Sequence, residues 1–200
     1  SIKSGKFIYE NLKNNSDWNL YEVCISKEKN FVRYKGETYD LEYESFSFSI
    51  NGKKVKPHAV FNIIHGDPGE NGDLAEILER NKIPQTASDV YVSMLTSNKK
   101  KYIDFVNTLG IPSSKQVLIS KKEIDNLSSL TGSITFPCIV KPNNGGSSIG
   151  VSKVYKLNEL NEKVQIAFEE DDEVLIENFL DGQEVSVGVI QNKNERIILP

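Results

Sequence analysis

The chain has 200 residues, 38% hydrophobic and 26% charged, with a formal net charge of −4 and a pI of about 5.4. That length holds one large or two small domains and buries a real core. The acidic balance excludes a general attraction to nucleic acid, no apolar run approaches the roughly 18–20 residues of a membrane helix, and no signal-peptide pattern opens the chain.

In chain order, an amphipathic pattern predicts a helix over 3–12, then a strand at about 19–25. Residues 31–50 alternate in places (Tyr39, Leu41, Tyr43; Phe46, Phe48, Ile50), and Asn51-Gly52 is a strong hairpin turn signal. We read this region as a β excursion within a first domain. A strand at 59–64 and helices near 73–81 and 88–96 complete an α/β, Rossmann-like set. Beyond it come a helix at 99–110, a strand at 113–119, a helix at 121–128 and strands at 136–141 and 150–155. A helix at 157–169 and a strand at 173–178 close a small α+β lobe. A further strand is predicted over 195–200. Cys24 and Cys138 sit in apolar runs and read as buried thiols, not as a disulfide framework or a zinc site. The acidic run 169–173 reads as a solvated connection.

One stretch carries chemistry. Phe136-Pro137-Cys138-Ile139-Val140 is an apolar, partly β-branched run that ends in Lys141-Pro142. Lys141 is a compact point charge at a strand end, suited to phosphate oxygens. The loop that follows contains Gly145, Gly146, Ser147, Ser148 and Gly150. Glycines let backbone approach a ligand closely, and the loop's N–H and hydroxyl groups can cradle an anion. Neither G-x-x-x-x-G-K-[ST] nor a strand-borne G-x-G-x-x-G occurs, so a nucleotide must be held in another way. Downstream, Val174-Leu175-Ile176 runs into Glu177, and Glu184 follows the Asp181-Gly182 turn. Glu177 and the backbone near Leu180 can hydrogen-bond adenine, and Glu184 can accept from ribose hydroxyls. Taken singly, the loop also reads as a hairpin turn with a solvated lysine, and the two glutamates as solvated strand-end charges.

Together these residues resemble the ATP-grasp enzymes, and closely the D-alanine–D-alanine ligase family, along essentially the whole chain. The run Ala59-Val60-Phe61-Asn62-Ile63-Ile64-His65-Gly66-Asp67-Pro68-Gly69-Glu70-Asn71-Gly72 is similar to a family strand ending in His-Gly followed by Gly-Glu-Asp-Gly, with Asn71 for Asp. Ile83-Pro84-Gln85-Thr86-Ala87-Ser88 resembles the next family stretch, Ser97-Asn98-Lys99 a helix start, and Leu109-Gly110-Ile111-Pro112 that helix's end.

The resemblance implies a fold class: α/β, an N-terminal Rossmann-like domain at 1–97 lacking its first strand. The first α+β lobe of an ATP-grasp fold would follow at 98–182, and a truncated second lobe at 183–200. It implies ATP between two lobes, transfer of the γ-phosphate to the carboxylate of one D-alanine, and attack of a second D-alanine's amine on the acyl phosphate. In this reading Lys99 and Lys141 contact the α- and β-phosphates. The loop with Gly145, Gly146, Ser147, Ser148 and Gly150 closes over them. Glu177, Leu180 and Glu184 hold adenine and ribose, and Ser147 and His65 lie near the first D-alanine. By itself, His65 reads as a strand-end residue capping the next turn. Magnesium or manganese is implied with no metal ligand inside the chain. A cytoplasmic homodimer without nucleic-acid or membrane partners is implied as well. The matching segments imply a fragment that begins after a first strand and stops before the family's tyrosine–lysine loop, arginine and metal ligands.

There are departures: Ala75-Glu76 stands for the family's Gln-Gly, Gly145 for an acidic residue, and Asn178 for lysine. A ligase joining D-alanine to D-lactate or D-serine, and a nucleotide-binding module without turnover, both remain compatible with these motifs.

Overall fold

The computed structural model describes residues 1–192 and 195–199. The elements run α1 (Ile2–Leu12), β1 (Glu22–Cys24), β2 (Phe31–Tyr34), β3 (Glu37–Asp40), β4 (Phe48–Ile50), β5 (Lys53–Val55), α2 (Asp73–Arg80), α3 (Val90–Ser97) and α4 (Lys99–Thr108). They continue with β6 (Gln116–Ser120), a 3-10 turn (Lys121–Asn126), α5 (Leu127–Leu130), β7 (Cys138–Pro142), β8 (Ser152–Val154), α6 (Leu157–Phe168), β9 (Glu173–Asn178), β10 (Val189–Asn192) and β11 (Glu195–Ile198).

Two hydrophobic cores form. The first gathers Val32, Phe46, Phe48 and Ile83 around Leu74, Ile77 and Leu78 of α2. Those three α2 residues lie at helical spacing, so one face of the helix is apolar and turns inward. Strands β1, β2 and β3 make an antiparallel sheet, and β4 pairs β5 as a hairpin. Its turn, Asn51-Gly52, has φ of 50° and 74°, the doubly left-handed geometry that matches strand twist. Lys35-Gly36, with φ of 49° and 85°, turns the β2–β3 hairpin the same way.

The second core lies under a four-stranded antiparallel sheet in the order β6-β9-β7-β8. Cys138 and Val140 of β7 and Val174 and Ile176 of β9 face Leu160, Val164, Ala167 and Phe168 of α6. Strand alternation turns Ile139 and Lys141 of β7, and Glu177 of β9, to the opposite face. That open face carries the candidate site. No helix among the described residues is long and apolar enough to cross a membrane.

Two expectations need correction. Residues 59–64 form no strand among the described residues; they make one parallel bridge, Val60 to Gln85. Here Asn62 takes its backbone out of the ladder: its Oδ1 accepts from the Ile64 N–H at 3.1 Å and its Nδ2 donates to the Gly69 carbonyl at 3.0 Å. Such local side-chain bonds compete with strand pairing. Consequently no parallel sheet of the expected Rossmann-like kind is present among the described residues. The predicted helix at 121–128 is instead a 3-10 turn entered through a Ser120–Glu123 capping box, followed by the short α5. In the predicted strand at 195–200, β11 covers Glu195–Ile198, and Pro200 lies outside the described residues.

Candidate nucleotide site

The site is built on the ends of β7 and β9 and the start of α4. Lys141 lies on β7 opposite Leu175, while Glu177 lies opposite Ile139, so the two are diagonal neighbours on one face. Lys141 Nζ donates to Glu177 Oε1 at 2.5 Å, and the pair is 19% and 16% exposed. The other carboxylate oxygen, Oε2, accepts from Ser114 Oγ at 3.3 Å.

Lys99 begins α4, behind the N-cap Asn98, whose side chain accepts from the Lys101 N–H. Its ammonium donates to the Gly145 carbonyl at 2.8 Å and lies 3.3 Å from that of Asn144. Burial lowers the Lys99 pKa below the ordinary lysine value, and the positive charge of Lys141 lowers it further. Two like charges thus converge beside the loop, which is an anion-attracting arrangement.

The loop is exposed over 145–149, and Gly150 is half-buried. Ser147 and Ser148 both adopt left-handed backbone, with φ of 56° and 57°. Non-glycine residues take this region at a cost, and consecutive ones mark a tightly constrained turn. Neither serine's N–H or hydroxyl has a partner among the described residues. Gly150, with φ of 69°, packs so tightly that a Cβ would lie 2.9 Å from Pro142 Cγ.

Beyond β9, Leu180 is 68% exposed and Glu184 is exposed. Between β9 and Leu180, Phe179 is held by Lys153 Nζ, 3.3 Å from the ring centroid. His65 is exposed; its N–H donates to Ser1 Oγ at 2.8 Å and its Nδ1 lies 4.0 Å from Glu70 Oε1. The Gly66 turn is capped by Glu70, whose Oε2 accepts the Gly66 N–H at 2.8 Å, so the cap expected of His65 comes from a different side chain.

Lys99, Lys141, Gly145 and Glu177 are thus gathered in one neighbourhood. A cavity of about 230 Å³ adjoins them, walled by Asp67, Asn71, Met94, Asn98, Lys101 and Gly145 among others. It brings the loop after His65 against the glycine loop, although neither His65 nor Ser147 lines it. Among the described residues no group of three His, Cys, Asp or Glu side chains comes together.

The motif reading missed the residues that join these parts. Asn143 is fully buried and bonded to both α4 and β9. Asp171 Oδ2 accepts from both the backbone and the side chain of Asn144. The asparagine pair after Lys141-Pro142 was the available signal, but its partners are distant in sequence.

A family model described as D-ala D-ala ligase C-terminus matches residues 105–200. All of the chain aligns at 42% identity with a D-alanine–D-alanine ligase of Christiangramia forsetii. Over its whole length the chain is similar to D-alanine–D-alanine ligases. A second relative, a D-alanine–D-alanine ligase of Flavobacterium johnsoniae, is 38% identical over the whole chain. The chain spans 61% and 62% of the lengths of these two relatives. The solved D-alanine–D-alanine ligase of Helicobacter pylori superposes with a TM-score of 0.83 at 27% identity, over 99% of this chain and 65% of that one. A VanG D-Ala:D-Ser ligase from Enterococcus faecalis superposes with a TM-score of 0.86 at 26% identity, over 99% of this chain and 63% of that one. The mixed α/β fold is therefore shared with these solved ligases.

Proposed function

We propose that this chain is part of an ATP-dependent ligase that joins two D-alanines into D-alanyl-D-alanine for peptidoglycan precursors. The observation that carries the reading is the placing of Lys99 on the Gly145 carbonyl of the glycine-serine loop, within the electrostatic reach of the Lys141–Glu177 pair. Two ammonium groups at one loop suit a polyphosphate, and a carboxylate one residue row away suits the N6 amine of adenine.

In this reading Lys99 and Lys141 neutralise the α- and β-phosphates. The free N–H and hydroxyl groups of Ser147 and Ser148, with Gly145, Gly146 and Gly150, close over the phosphates and exclude water. Glu177 and the backbone at Leu180 hold adenine, and Glu184 takes the ribose. Ser147 and His65 face the first D-alanine. Its carboxylate takes the γ-phosphate of ATP, releasing ADP, and the amine of the second D-alanine then displaces phosphate. The protein's contribution is positioning and charge neutralisation. A divalent cation, magnesium or manganese, belongs to this reading.

We read 1–97 as the N-terminal ligase domain, with antiparallel sheets in place of the expected Rossmann-like one, 98–182 as the first ATP-grasp lobe and 183–200 as the start of the second. We assign the protein to the cytoplasm as a homodimer, with no nucleic-acid or membrane partner. The likeness to a D-Ala:D-Ser ligase favours one second reading, in which the second substrate is D-serine. D-lactate is the third substrate in the same class.

Phosphate release by the full-length protein decides between these. The ligase reading expects release that needs both ATP and D-alanine, with D-alanyl-D-alanine as product. Preference for D-serine or D-lactate as second substrate moves the reading to those ligases. Nucleotide binding with no release under any amino acid moves it to a binding module. The 200-residue chain by itself is expected to give no release.

A further inference from the structure

We propose that Asn143 is the positioning residue that sets the spacing between Lys99 and Lys141, and so the fit of both to one polyphosphate. The inference rests on the ATP reading above and adds a residue that no phosphate motif names.

Asn143 follows β7 directly, two residues past Lys141, and is completely buried. Each of its polar groups is used. Its N–H donates to the Glu173 carbonyl at 2.9 Å, and its carbonyl accepts the Lys99 N–H at 2.9 Å. Its Oδ1 accepts the Lys100 N–H at 2.9 Å, and its Nδ2 donates to Glu173 Oε2 at 2.8 Å. The amide orientation follows from chemistry, because a backbone N–H needs an acceptor and a carboxylate needs a donor. One side chain therefore bolts α4 to β9 at the end of β7.

Two consequences bear on the site. First, the leading N–H groups of α4 are consumed: Lys99 and Lys100 donate to Asn143, and Lys101 donates to Asn98. A helix start is often an anion site through those very groups. Here it is closed, so positive charge reaches the ligand only through lysine side chains, whose spacing then matters. Second, Glu173 and Glu177 share β9, and Glu177 holds Lys141. Asn143, Glu173, Glu177 and Lys141 thus form one closed circuit along β7 and β9, and Lys99 is bonded to it at Asn143. Alanine at 143 would remove the side-chain bonds to Lys100 of α4 and to Glu173 of β9 together, leaving only the backbone bonds to Lys99 and Glu173. Aspartate would keep the acceptor for Lys100 but set a carboxylate against Glu173.

The test uses the full-length protein, with steady-state kinetics, nucleotide affinity by calorimetry with ADP, and melting temperature. Asn143→Ala should raise the ATP KM about tenfold or more while the D-alanine KM stays within about twofold. Asn143→Asp should do the same, and Asn143→Asp with Glu173→Gln should restore the ATP KM, because the glutamine amide donates to the new carboxylate. An Asn143→Ala protein that melts earlier but keeps its ATP KM overturns the positioning role. So does a double variant that recovers its melting temperature but not its ATP KM, or a set in which all three variants fail to fold. If the unaltered protein binds ADP but ligates nothing, the ligase reading fails alone, and the ADP affinities of the same variants still decide the role of Asn143.

Discussion

Lys141 and Glu177 are bonded to each other across adjacent strands, ammonium to carboxylate at 2.5 Å, on a face where neither is more than a fifth exposed. In the function proposed above, each would meet a different end of ATP, phosphate for the lysine and adenine for the glutamate. In the free protein the two satisfy one another. A nucleotide must offer each a replacement partner, which is a reason the site keeps both charges without paying the full cost of burying either alone.

The pair should therefore be strongly non-additive. Glu177→Leu leaves the Lys141 ammonium half-desolvated and should destabilise the protein by about 1–3 kcal/mol, less than a fully buried break because some solvent remains. Lys141→Met should cost a similar amount. The double variant should cost less than the sum of the two by about 1 kcal/mol or more. Denaturant midpoints read this directly, and additive losses would mean that the pair does not persist in solution.

Lys99 should limit nucleotide use at alkaline pH. Burial and the charge of Lys141 hold its pKa below the ordinary lysine value of 10.5. Only the protonated form attracts phosphate, so affinity is present below the lowered pKa and is lost as pH rises through it. The profile of kcat/KM for ATP reports the free protein's groups. It should fall with an apparent pKa below 10.5, and Lys99→Arg should move that limb upward, since guanidinium keeps its charge. A limb unmoved by Lys99→Arg would assign it to another group.

Cys138 should be inert while the protein is folded. It lies between β7 and α6, fully buried, and burial pushes its pKa up to about 11. An alkylating reagent at neutral pH should leave it unmodified in the native protein and label it in denaturant, as read by mass spectrometry. The raised pKa also has a stability consequence. The folded state keeps the thiol proton where the unfolded chain gives it up, so stability holds below about pH 9 and falls as pH climbs from there toward 11. Fast labelling of native Cys138 would mean that the α6–β7 core opens readily.

Much of this architecture was legible in the sequence, for identifiable reasons. Helix α6 shows Leu160, Val164, Ala167 and Phe168 at helical spacing, and β7 and β9 are short apolar runs that end in charge. Asn51-Gly52 announces its turn by its own dihedral needs. What stayed hidden was decided by particular bonds and dihedrals, near and far in the chain, that residue type does not announce. The segment 59–64 looks like a strand until Asn62 bonds Ile64 and Gly69. Lys35-Gly36 makes the same kind of turn as Asn51-Gly52, yet lysine is not a turn residue by type. Asn143 is a bland residue in a loop until Lys100 and Glu173 arrive from 43 and 30 positions away. Motifs exposed the lysines; only packing exposes what holds them apart.

The glycine loop makes a last contrast within a few residues. Gly150 has a positive φ of 69°, and a Cβ there would meet Pro142 Cγ at 2.9 Å and Glu170 Cγ at 3.2 Å. Strain and overlap act together, so Gly150→Ala should cost about 1–3 kcal/mol. Gly146 has no positive φ, and nothing lies within 4 Å of a Cβ placed on it. Gly146→Ala should change stability by no more than about 0.5 kcal/mol, with either sign, because a restricted unfolded chain offsets a restricted loop. Its effect should fall on nucleotide use, where a stiffer loop closes less readily over phosphates. Chemical denaturation of both variants, beside ATP kinetics in the full-length protein, separates the two roles. Equal stability losses at Gly146 and Gly150 would show that the loop as a whole is packed, and that it does not act as a lid.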